Sequence, residues 1–355
     1  MTVHHIIPSY SSFGGGAERA VRALHVGLRK QGIRSQVLGL MRQQDTELEA
    51  TQSLQVTSPY GLRALLGIRR YVTEQVEPDD IIHAHLFPPF YHLAILKWFG
   101  DARCRLVFTE HSTSNRRRST TLGHMLDFRL YANYEQVITV SQGAEQELLK
   151  WQPSLTGKTR VVTNGVSLFY NRVIQRPFKT RLKIVSVGHL RRAKNYDTAL
   201  RAVALLSNLD FDYEIAGEGD CRAELLRLRK ELGLETKVRF LGHVRDIPEL
   251  LASADIFLMP SRWEGFGLAA VEAMNASLPL VVSDVAGLRE IVNGAEPGAL
   301  LVDPQSPASI AKALSRLLTS SDLRQQLGEN SFYQSQRYSI AQMVEKHIKV
   351  YDELT

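Results

Sequence analysis

The chain has 355 residues, of which 44% are hydrophobic and 23% are charged. This length suits two domains of ordinary size, and this composition is that of a globular protein, which argues against intrinsic disorder. The net charge is +6, and the two cysteines, Cys104 and Cys221, are too few for a disulfide framework or a thiolate metal site.

The positive charge lies in the first half of the sequence. Residues 1–178 carry 21 lysines and arginines against 14 acidic residues, whereas residues 179–355 carry 22 against 23. A basic half can attract nucleic acid, an anionic membrane surface or a phosphorylated substrate. Because the basic residues are not interleaved with aromatic ones and no nucleic-acid module is recognisable, we expect no nucleic-acid partner.

The sequence contains no run of about 18 apolar residues, which excludes a membrane-spanning helix. Its start, residues 1–8, is too short and too soon interrupted for a signal peptide. We therefore expect a cytoplasmic protein, with weak contact at the cytoplasmic face of the inner membrane as an alternative. Residues 60–72 form a basic amphipathic helix that we expect to cover a sheet, a membrane-facing role being the alternative.

An apolar strand over residues 3–8 leads into a loop with three glycines, Gly14, Gly15 and Gly16, and then into a helix that ends near Lys30. The free amide groups at a helix start can bind an anion. The loop therefore predicts a phosphate-facing site, and a plain flexible turn is the alternative.

Further strands alternate with helical segments in the first half of the chain. We expect them at residues 35–40, 81–84, 105–109, 136–140 and 160–163. Such alternation predicts a parallel sheet, with ligands at the carboxyl ends of its strands. His83, His85 and His111 fall at or just after such ends, where histidines are either functional or packed.

Three arginines, Arg116, Arg117 and Arg118, follow His111 within a few residues. A run of charges is usually a solvated surface. Its place beside the expected ligand edge suggests a second reading, in which the run attracts a phosphate-bearing acceptor such as a polyprenyl-diphosphate-linked sugar.

The second half begins after an aperiodic stretch, residues 166–181, which we interpret as an interdomain linker. A strand over residues 182–187 is followed by the cations Arg191, Arg192 and Lys194. Cations after a strand can stabilise the negative charge that develops on a leaving diphosphate. A second strand, near residues 213–216, ends in another glycine turn with Gly217 and Gly219.

The apolar strand at residues 256–259 opens into a turn and a helix with the sequence Glu264-Gly265-Phe266-Gly267-Leu268-Ala269-Ala270-Val271-Glu272. The glycines permit tight backbone geometry and close approach of a ligand. Carboxylates such as Glu264 and Glu272 accept paired hydrogen bonds from vicinal hydroxyls, which a sugar or a ribose offers. The alternative for either glutamate alone is a charge at a helix start or on a solvated helix face.

This string resembles the signature of glycosyltransferase family 4, and the similarity extends over nearly the whole chain. The resemblance implies an α/β protein of the GT-B fold, with two facing Rossmann-like domains on parallel sheets. Residues 1–170 would form the acceptor-side domain and residues 171–337 the donor domain. Residues 338–355 would form a helix that crosses back onto the first domain.

The activity implied is retaining transfer of a sugar from a nucleoside diphosphate sugar, which we expect to be UDP-linked, to a hydroxyl of a glycan or lipid-linked saccharide. The assembly of polysaccharide or lipopolysaccharide is the expected setting. No cofactor and no metal are expected. A UDP-sugar epimerase or hydrolase of the same fold and a non-catalytic sugar-nucleotide-binding subunit are the alternatives.

The resemblance also implies roles for individual residues. His111, Glu264 and Lys194 would be catalytic, and Glu272 would bind the ribose. In relatives the strand before Val244 contacts the nucleotide base. His189 stands where the family usually has an arginine, which leaves one diphosphate contact open. The residues implied in donor binding are Gly15, Gly16, His189, Arg191, Arg192, Lys194, Gly217, Gly219, Val244, Glu264, Gly265, Phe266, Gly267, Leu268 and Glu272.

Overall fold

The computed structural model describes residues 1–11, 14–41, 49–113, 120–177, 179–294 and 296–355. The chain divides into two compact units, each built on one parallel sheet. The first unit comprises Met1–Gly165 together with Ile340–Thr355, and the second comprises Val166–Ser339.

The first unit has a sheet of seven strands among the described residues. The strands are β1 (Thr2–Ile7), β2 (Arg34–Met41), β3 (Thr51–Val56), β4 (Ile81–His85), β5 (Arg105–Glu110), β6 (Gln136–Thr139) and β7 (Thr159–Val161). Their order across the sheet is β3-β2-β1-β4-β5-β6-β7. The helices between them are α1 (Gly16–Lys30), α2 (Leu62–Gln75), α3 (Pro89–Trp98), α4 (Thr121–Tyr131) and α5 (Gln142–Trp151), with a 3-10 turn at Pro153–Leu155.

Neighbouring residues of a strand point to opposite faces of a sheet. Apolar side chains lie on both faces of this sheet, and helices cover each face. Val107 of β5 packs in one apolar cluster with Leu24 of α1. The next residue, Phe108, packs in a different cluster with Phe90 of α3. The basic helix α2 belongs to that second cluster through Ile68 and its neighbours, which confirms that it covers the sheet.

The second unit has a sheet of six strands among the described residues. The strands are β8 (Leu182–Val187), β9 (Phe211–Ala216), β10 (Val238–Gly242), β11 (Ile256–Met259), β12 (Leu280–Ser283) and β13 (Ala299–Val302). Their order is β10-β9-β8-β11-β12-β13. The helices are α6 (Tyr196–Ala204), α7 (Arg222–Glu231), α8 (Ile247–Ser253), α9 (Leu268–Asn275), α10 (Ala286–Val292), α11 (Pro307–Thr319) and α12 (Ser321–Ser335), with 3-10 turns at Arg192–Lys194 and Gln336–Tyr338.

The last helix, α13 (Ile340–Asp352), belongs to the first unit. Its residues Met343, Val344 and Tyr351 lie in the same apolar cluster as Leu24 and Val107. The predicted segment of residues 338–355 begins two residues earlier than the segment that the structure assigns to this unit.

The stretch expected to be an aperiodic linker is held on the second unit instead. The Arg176 guanidinium donates hydrogen bonds to the carbonyl oxygens of Ala254, Ala276 and Ser277, at 2.7, 2.6 and 2.9 Å. Ala254 and Ala276 end α8 and α9, whose last carbonyl groups lack partners within the helix. Burial lowers the pKa of Arg176 to about 10. The two units therefore meet in sequence at Gly165 and Val166, earlier than the predicted boundary after residue 170.

Each helix in the described part of the chain is too short or too polar to cross a bilayer.

Candidate active site

In the second unit, the chain leaves β8 and β11 in different directions across the sheet. β8 lies between β9 and β11, and the connection after β8 leads to β9 on one side, whereas β11 continues to β12 on the other. The carboxyl ends of two such strands border a crevice in which open α/β sheets bind their ligands. The two loops at this point are residues 188–195 and residues 260–267.

An ion pair joins these loops. The Lys194 Nζ lies 2.5 Å from Glu264 Oε2, and their side chains are 22% and 18% exposed. The hydroxyl of Ser261 lies 3.4 Å from the same carboxylate oxygen. The structure therefore brings together two of the three residues predicted to be catalytic.

Asn195 joins the two loops through side-chain hydrogen bonds. It adopts a left-handed conformation with φ 58°, which asparagine tolerates better than most residues. Its Nδ2 donates to the carbonyl oxygens of Pro260 and Pro304, at 2.9 and 2.7 Å, and its Oδ1 accepts from Arg262 Nε at 2.8 Å. Sequence reasoning missed this residue. An asparagine that follows the lysine and precedes a helix was the available signal.

Two glycines allow the glutamate turn to pack closely. Gly267 has φ 94° at the start of α9, and a Cβ there would lie 2.6 Å from Leu288 Cδ2. Gly287, which sequence reasoning also missed, lies against the turn, and a Cβ there would lie 2.3 Å from the Glu264 carbonyl oxygen. The backbone of α10 therefore supports the backbone of Glu264 directly.

Glu272 lies within α9 and is buried, with 7% of the residue exposed. Glu264 lies in the turn, four positions before the first residue of that helix. Phe266 and Leu268 are buried, and the Phe266 ring packs edge-on against Tyr338 at 5.4 Å between centroids. These two apolar side chains anchor the turn in the second unit.

The remaining predicted residues of the second unit follow the ends of neighbouring strands. His189 is half-buried, whereas Arg191 and Arg192 are exposed. A Cβ on Gly217 would lie 2.1 Å from the Gly188 carbonyl oxygen, so the loops after β8 and β9 touch backbone to backbone. A Cβ on Gly219 would lie 2.6 Å from the Leu190 carbonyl oxygen. Val244 follows the edge strand β10.

The glycine loop of the first unit is capped by its own helix. The amide of Gly15 donates to Glu18 Oε2 at 2.5 Å, and the hydroxyl of Ser9 donates to the other carboxylate oxygen. Gly16 is the first helical residue. A phosphate at this helix start would require the Glu18 carboxylate to leave the Gly15 amide, because two anions repel each other there.

The comparable switch point of the first sheet, between β1 and β4, is lined by histidines. His5 is the register partner of His83, and His83 and His85 point to the same face because they are two residues apart. His5 Nδ1 lies 3.0 Å from His85 Nε2, and His85 Nδ1 lies 3.3 Å from His111 Nε2. His347 of α13 completes the cluster, with its ring centroid 5.8 Å from that of His83.

Burial keeps these histidines neutral. It lowers the pKa of His111 to about 3 and that of His347 to about 4. It also holds the pKa values of His5, His83 and His85 well below the value of 6.5 for an exposed histidine. His111 is partly exposed as a residue, but its Nδ1 is out of contact with solvent. A nearby cavity, lined among others by Thr109, His111 and Asn164, has room for about one water molecule.

Three of these imidazoles are close enough to bind one metal ion. Nitrogen atoms of His5, His83 and His85 lie within 4.8 Å of one another. Both His83 nitrogens, however, have hydroxyl partners, Tyr351 at 2.7 Å and Thr109 at 2.6 Å. His5 Nδ1 is paired with His85 Nε2, and His85 Nδ1 is paired with His111, so the cluster is hydrogen-bonded without a metal.

Arg116, Arg117 and Arg118 lie outside the described residues. Their predicted role toward an acceptor therefore stays a prediction.

Comparison with family models matches both halves of the chain. Residues 14–168 match the model described as Glycosyltransferase Family 4, and residues 171–333 match Glycosyl transferases group 1. The chain is 33% identical over 328 residues to D-inositol 3-phosphate glycosyltransferase of Corynebacterium jeikeium, which covers 83% of this chain and 78% of that one. It is 30% identical over 246 residues, 66% of either chain, to the Campylobacter jejuni enzyme named N-acetylgalactosamine-N,N'-diacetylbacillosaminyl-diphospho-undecaprenol 4-alpha-N-acetylgalactosaminyltransferase.

A solved structure matches the fold over almost the full length. The Anabaena protein Alr3699/HepE, crystallised in complex with UDP-glucose, superposes with a TM-score of 0.83 over 99% of this chain and 100% of that one. Sequence identity is 19%, so this likeness shows the fold alone. The predicted fold class, two parallel-sheet Rossmann-like units of the GT-B type, is confirmed.

Proposed function

Because the chain belongs to glycosyltransferase family 4, we propose that it is a retaining glycosyltransferase that uses a nucleoside diphosphate sugar, with UDP as the nucleotide. The acceptor is a hydroxyl of a glycan or of a lipid-linked saccharide. One observation carries this proposal: the Lys194–Glu264 pair sits at the switch point of the second sheet, directly before the helix that holds Glu272.

The donor is held by the second unit. Glu272 accepts hydrogen bonds from the ribose hydroxyls, because a carboxylate can accept from two vicinal hydroxyls at once. Glu264 does the same for the sugar that is transferred. The backbone after β10, around Val244, receives the base. The UDP-glucose complex of the structural neighbour supports a donor of this class.

Lys194 stabilises the departing diphosphate. Negative charge grows on the phosphate oxygens as the bond to the sugar breaks, and a fixed cation then lowers the barrier. Arg191 and Arg192 are exposed in the same loop and add positive charge, which compensates for His189 at the usual arginine position. With this supply of cations the reaction needs no metal cofactor.

The acceptor attacks from the side that the diphosphate leaves, and a leaving phosphate oxygen takes its proton. This step keeps the anomeric configuration without a covalent nucleophile. It depends mainly on orientation and on leaving-group stabilisation, both of which a preorganised site supplies.

A lipid-linked acceptor is supported by a surface of the first unit. The helix α4, residues 121–131, exposes four large apolar side chains, Leu122, Met125, Leu126 and Phe128. The sequence just before it contains Arg116, Arg117 and Arg118. Apolar and basic side chains together suit an anionic lipid surface. One relative carries diphospho-undecaprenol, a lipid with an anionic diphosphate group, in its name.

The test is a donor screen followed by analysis of the products. The purified chain is screened by thermal shift against nucleotide sugars, and the best donor is incubated with lipid-linked saccharides. We expect one glycosidic product per donor consumed, with the configuration of the donor retained in its NMR spectrum. Epimerised or free sugar formed without any acceptor would instead indicate a UDP-sugar epimerase or hydrolase. Donor binding without turnover would indicate a non-catalytic subunit.

A further inference from the structure

Three imidazoles in the first unit form a hydrogen-bonded row. His5 of β1 contacts His85 at the end of β4 at 3.0 Å, and His85 contacts His111, just after β5, at 3.3 Å. The two outer nitrogens of the row, His5 Nε2 and His111 Nδ1, are buried and have no hydrogen-bond partner among the described residues. The row therefore has two distinct ends.

The row can be oriented in only two ways. A neutral imidazole has one N–H donor and one acceptor nitrogen, so each ring must donate on one side and accept on the other. Burial keeps all three rings neutral, and the neighbouring ionisable groups that act on them are other histidines. The tautomer of one ring therefore fixes the tautomers of the other two.

The surroundings of the two ends decide between the orientations. One orientation leaves an N–H group unpaired at His5 Nε2, and the other leaves it unpaired at His111 Nδ1. His5 is fully buried in the sheet, where an unpaired donor costs about 1–3 kcal/mol. His111 lines the small cavity, in which a water molecule or a ligand oxygen can accept a hydrogen bond.

We propose that His5 and His85 are positioning residues that hold His111 as the neutral tautomer with its proton on Nδ1. His111 then donates a hydrogen bond to a hydroxyl or phosphoryl oxygen of the bound substrate and does not act as a base. This inference rests on the proposed function for the identity of that substrate. The orientation of the row is independent of it.

The direct test is NMR of the full chain labelled with 15N in histidine. Long-range 1H–15N correlations distinguish a protonated ring nitrogen from a bare one, and single His→Gln variants assign the signals. At pH 7 we expect protons on Nδ1 of His5, His85 and His111. A proton on His111 Nε2, a doubly protonated ring, or stoichiometric zinc bound at these nitrogens would overturn the proposal.

A pair of variants tests the effect on catalysis. His5→Asn places an amide donor near the position of Nδ1 and should keep turnover within about twofold, since the row can stay oriented. His5→Asp places only an acceptor there, which draws the proton of His85 to Nε2 and reverses the row. We expect kcat to fall about tenfold in His5→Asp, the scale of one lost hydrogen bond, and a new dependence of kcat on pH to appear.

Equal rates and equal pH profiles for His5→Asn and His5→Asp would overturn the positioning role. If His5→Asp does not fold, the NMR of the wild-type chain still decides the orientation. The proposed function and the proposed orientation of the row can be refuted independently of each other. A wild-type chain with the expected tautomers but no sugar transfer refutes the proposed function, whereas an active chain with the opposite tautomers refutes this inference alone.

Discussion

The ammonium of Lys194 lies 2.5 Å from the carboxylate of Glu264, and this ion pair joins the loops that follow β8 and β11. Both groups are proposed to contact the donor, Lys194 through the diphosphate and Glu264 through the sugar. In the ligand-free chain each already has a partner of opposite charge. When a donor binds, Lys194 and Glu264 therefore exchange their contact with each other for contacts with the donor. The two side chains should change partners together.

Substitution of either residue should reveal this coupling. We expect Lys194→Met to lower kcat about hundredfold, because it removes a cation from the leaving group. Glu264→Gln should also lower it, and the double variant should lose less than the two single losses combined, since residues in one network are not additive. Steady-state kinetics at saturating acceptor measures all three. Lys349→Met, at an exposed pair with Glu345 on α13, is the matched control and should behave as wild type.

Glu272→Gln should act mainly by weakening the binding of the donor nucleotide. A hydrogen bond to a charged group contributes about 1.5–3 kcal/mol, so we expect affinity for the nucleotide to fall about ten- to a hundredfold. Titration calorimetry with UDP measures the loss. The matched ligand is 2′,3′-dideoxy-UDP, which lacks the ribose hydroxyls and should bind wild type and variant alike. An equal loss for both nucleotides would show that Glu272 does not contact the ribose.

Gly267→Ala should destabilise the second unit through a clash as well as through backbone strain. The position has φ 94°, and the new Cβ would meet Leu288 at 2.6 Å. Gly233→Ala is the matched control, since it has φ 66° but no atom within 4 Å of the new Cβ. From urea unfolding we expect a loss of about 1 kcal/mol for Gly233→Ala and a loss larger by about 1–3 kcal/mol for Gly267→Ala. Similar losses of unfolding free energy in the two variants would mean that Gly267 is needed only for its backbone conformation and not for the close contact with Leu288.

The buried histidines should make the first unit sensitive to acid. Burial lowers the folded-state pKa of His347 to about 4, whereas an unfolded histidine titrates near 6.5. The unfolded chain therefore binds a proton that the folded chain excludes, so stability is fully present above about pH 6.5 and is lost as the pH falls toward about 4. Each such histidine contributes a loss of about 1.4 kcal/mol per pH unit. The ring of His347 faces His83 and Tyr351, which carry no charge to offset this effect.

Urea unfolding at pH 7.5 and pH 5.5 measures this loss. The variant His347→Gln should lose about 1.4 kcal/mol less than wild type for each pH unit below 6.5, because it has one titrating group fewer. An identical loss in wild type and variant would mean that His347 is protonated in the folded chain.

Reversal of charge at Arg116, Arg117 and Arg118 should weaken use of a lipid-linked acceptor. We expect the KM for a polyprenyl-diphosphate-linked acceptor to rise at least tenfold at low salt, while the KM for the donor stays within about twofold. The control reverses Arg227 and Lys230, which are exposed on α7 of the second unit. Unchanged acceptor kinetics would refute the acceptor role of the arginine run.

Apolar runs predicted most of the strands well. Residues 256–259 were predicted to the residue, because a buried parallel strand is apolar on both faces. The strand β3, Thr-Gln-Ser-Leu-Gln-Val, was missed, since it lies at the edge of the sheet and its residues are half-buried or exposed. It has no apolar run. A polar edge strand is recognisable only from the strand with which it pairs.

The site was predicted in part for a similar reason. Glu264, Glu272 and Lys194 belong to local patterns that the sequence displays. Asn195 and Gly287 matter because loops distant in sequence touch at them, and no local pattern records such a contact. The alternation of His83 and His85 shows that they share a face, but one of the two hydroxyl partners of His83 comes from Tyr351, 268 residues later in the chain.

That last contact bears on how the protein is made. The first unit is interrupted in sequence by the whole second unit and is completed only by α13. During synthesis on the ribosome, the histidine-lined face of the first sheet lacks its contacts with α13 until Met343, His347 and Tyr351 have been translated. A chain truncated before residue 340 would therefore lack the apolar residues with which α13 fills this core.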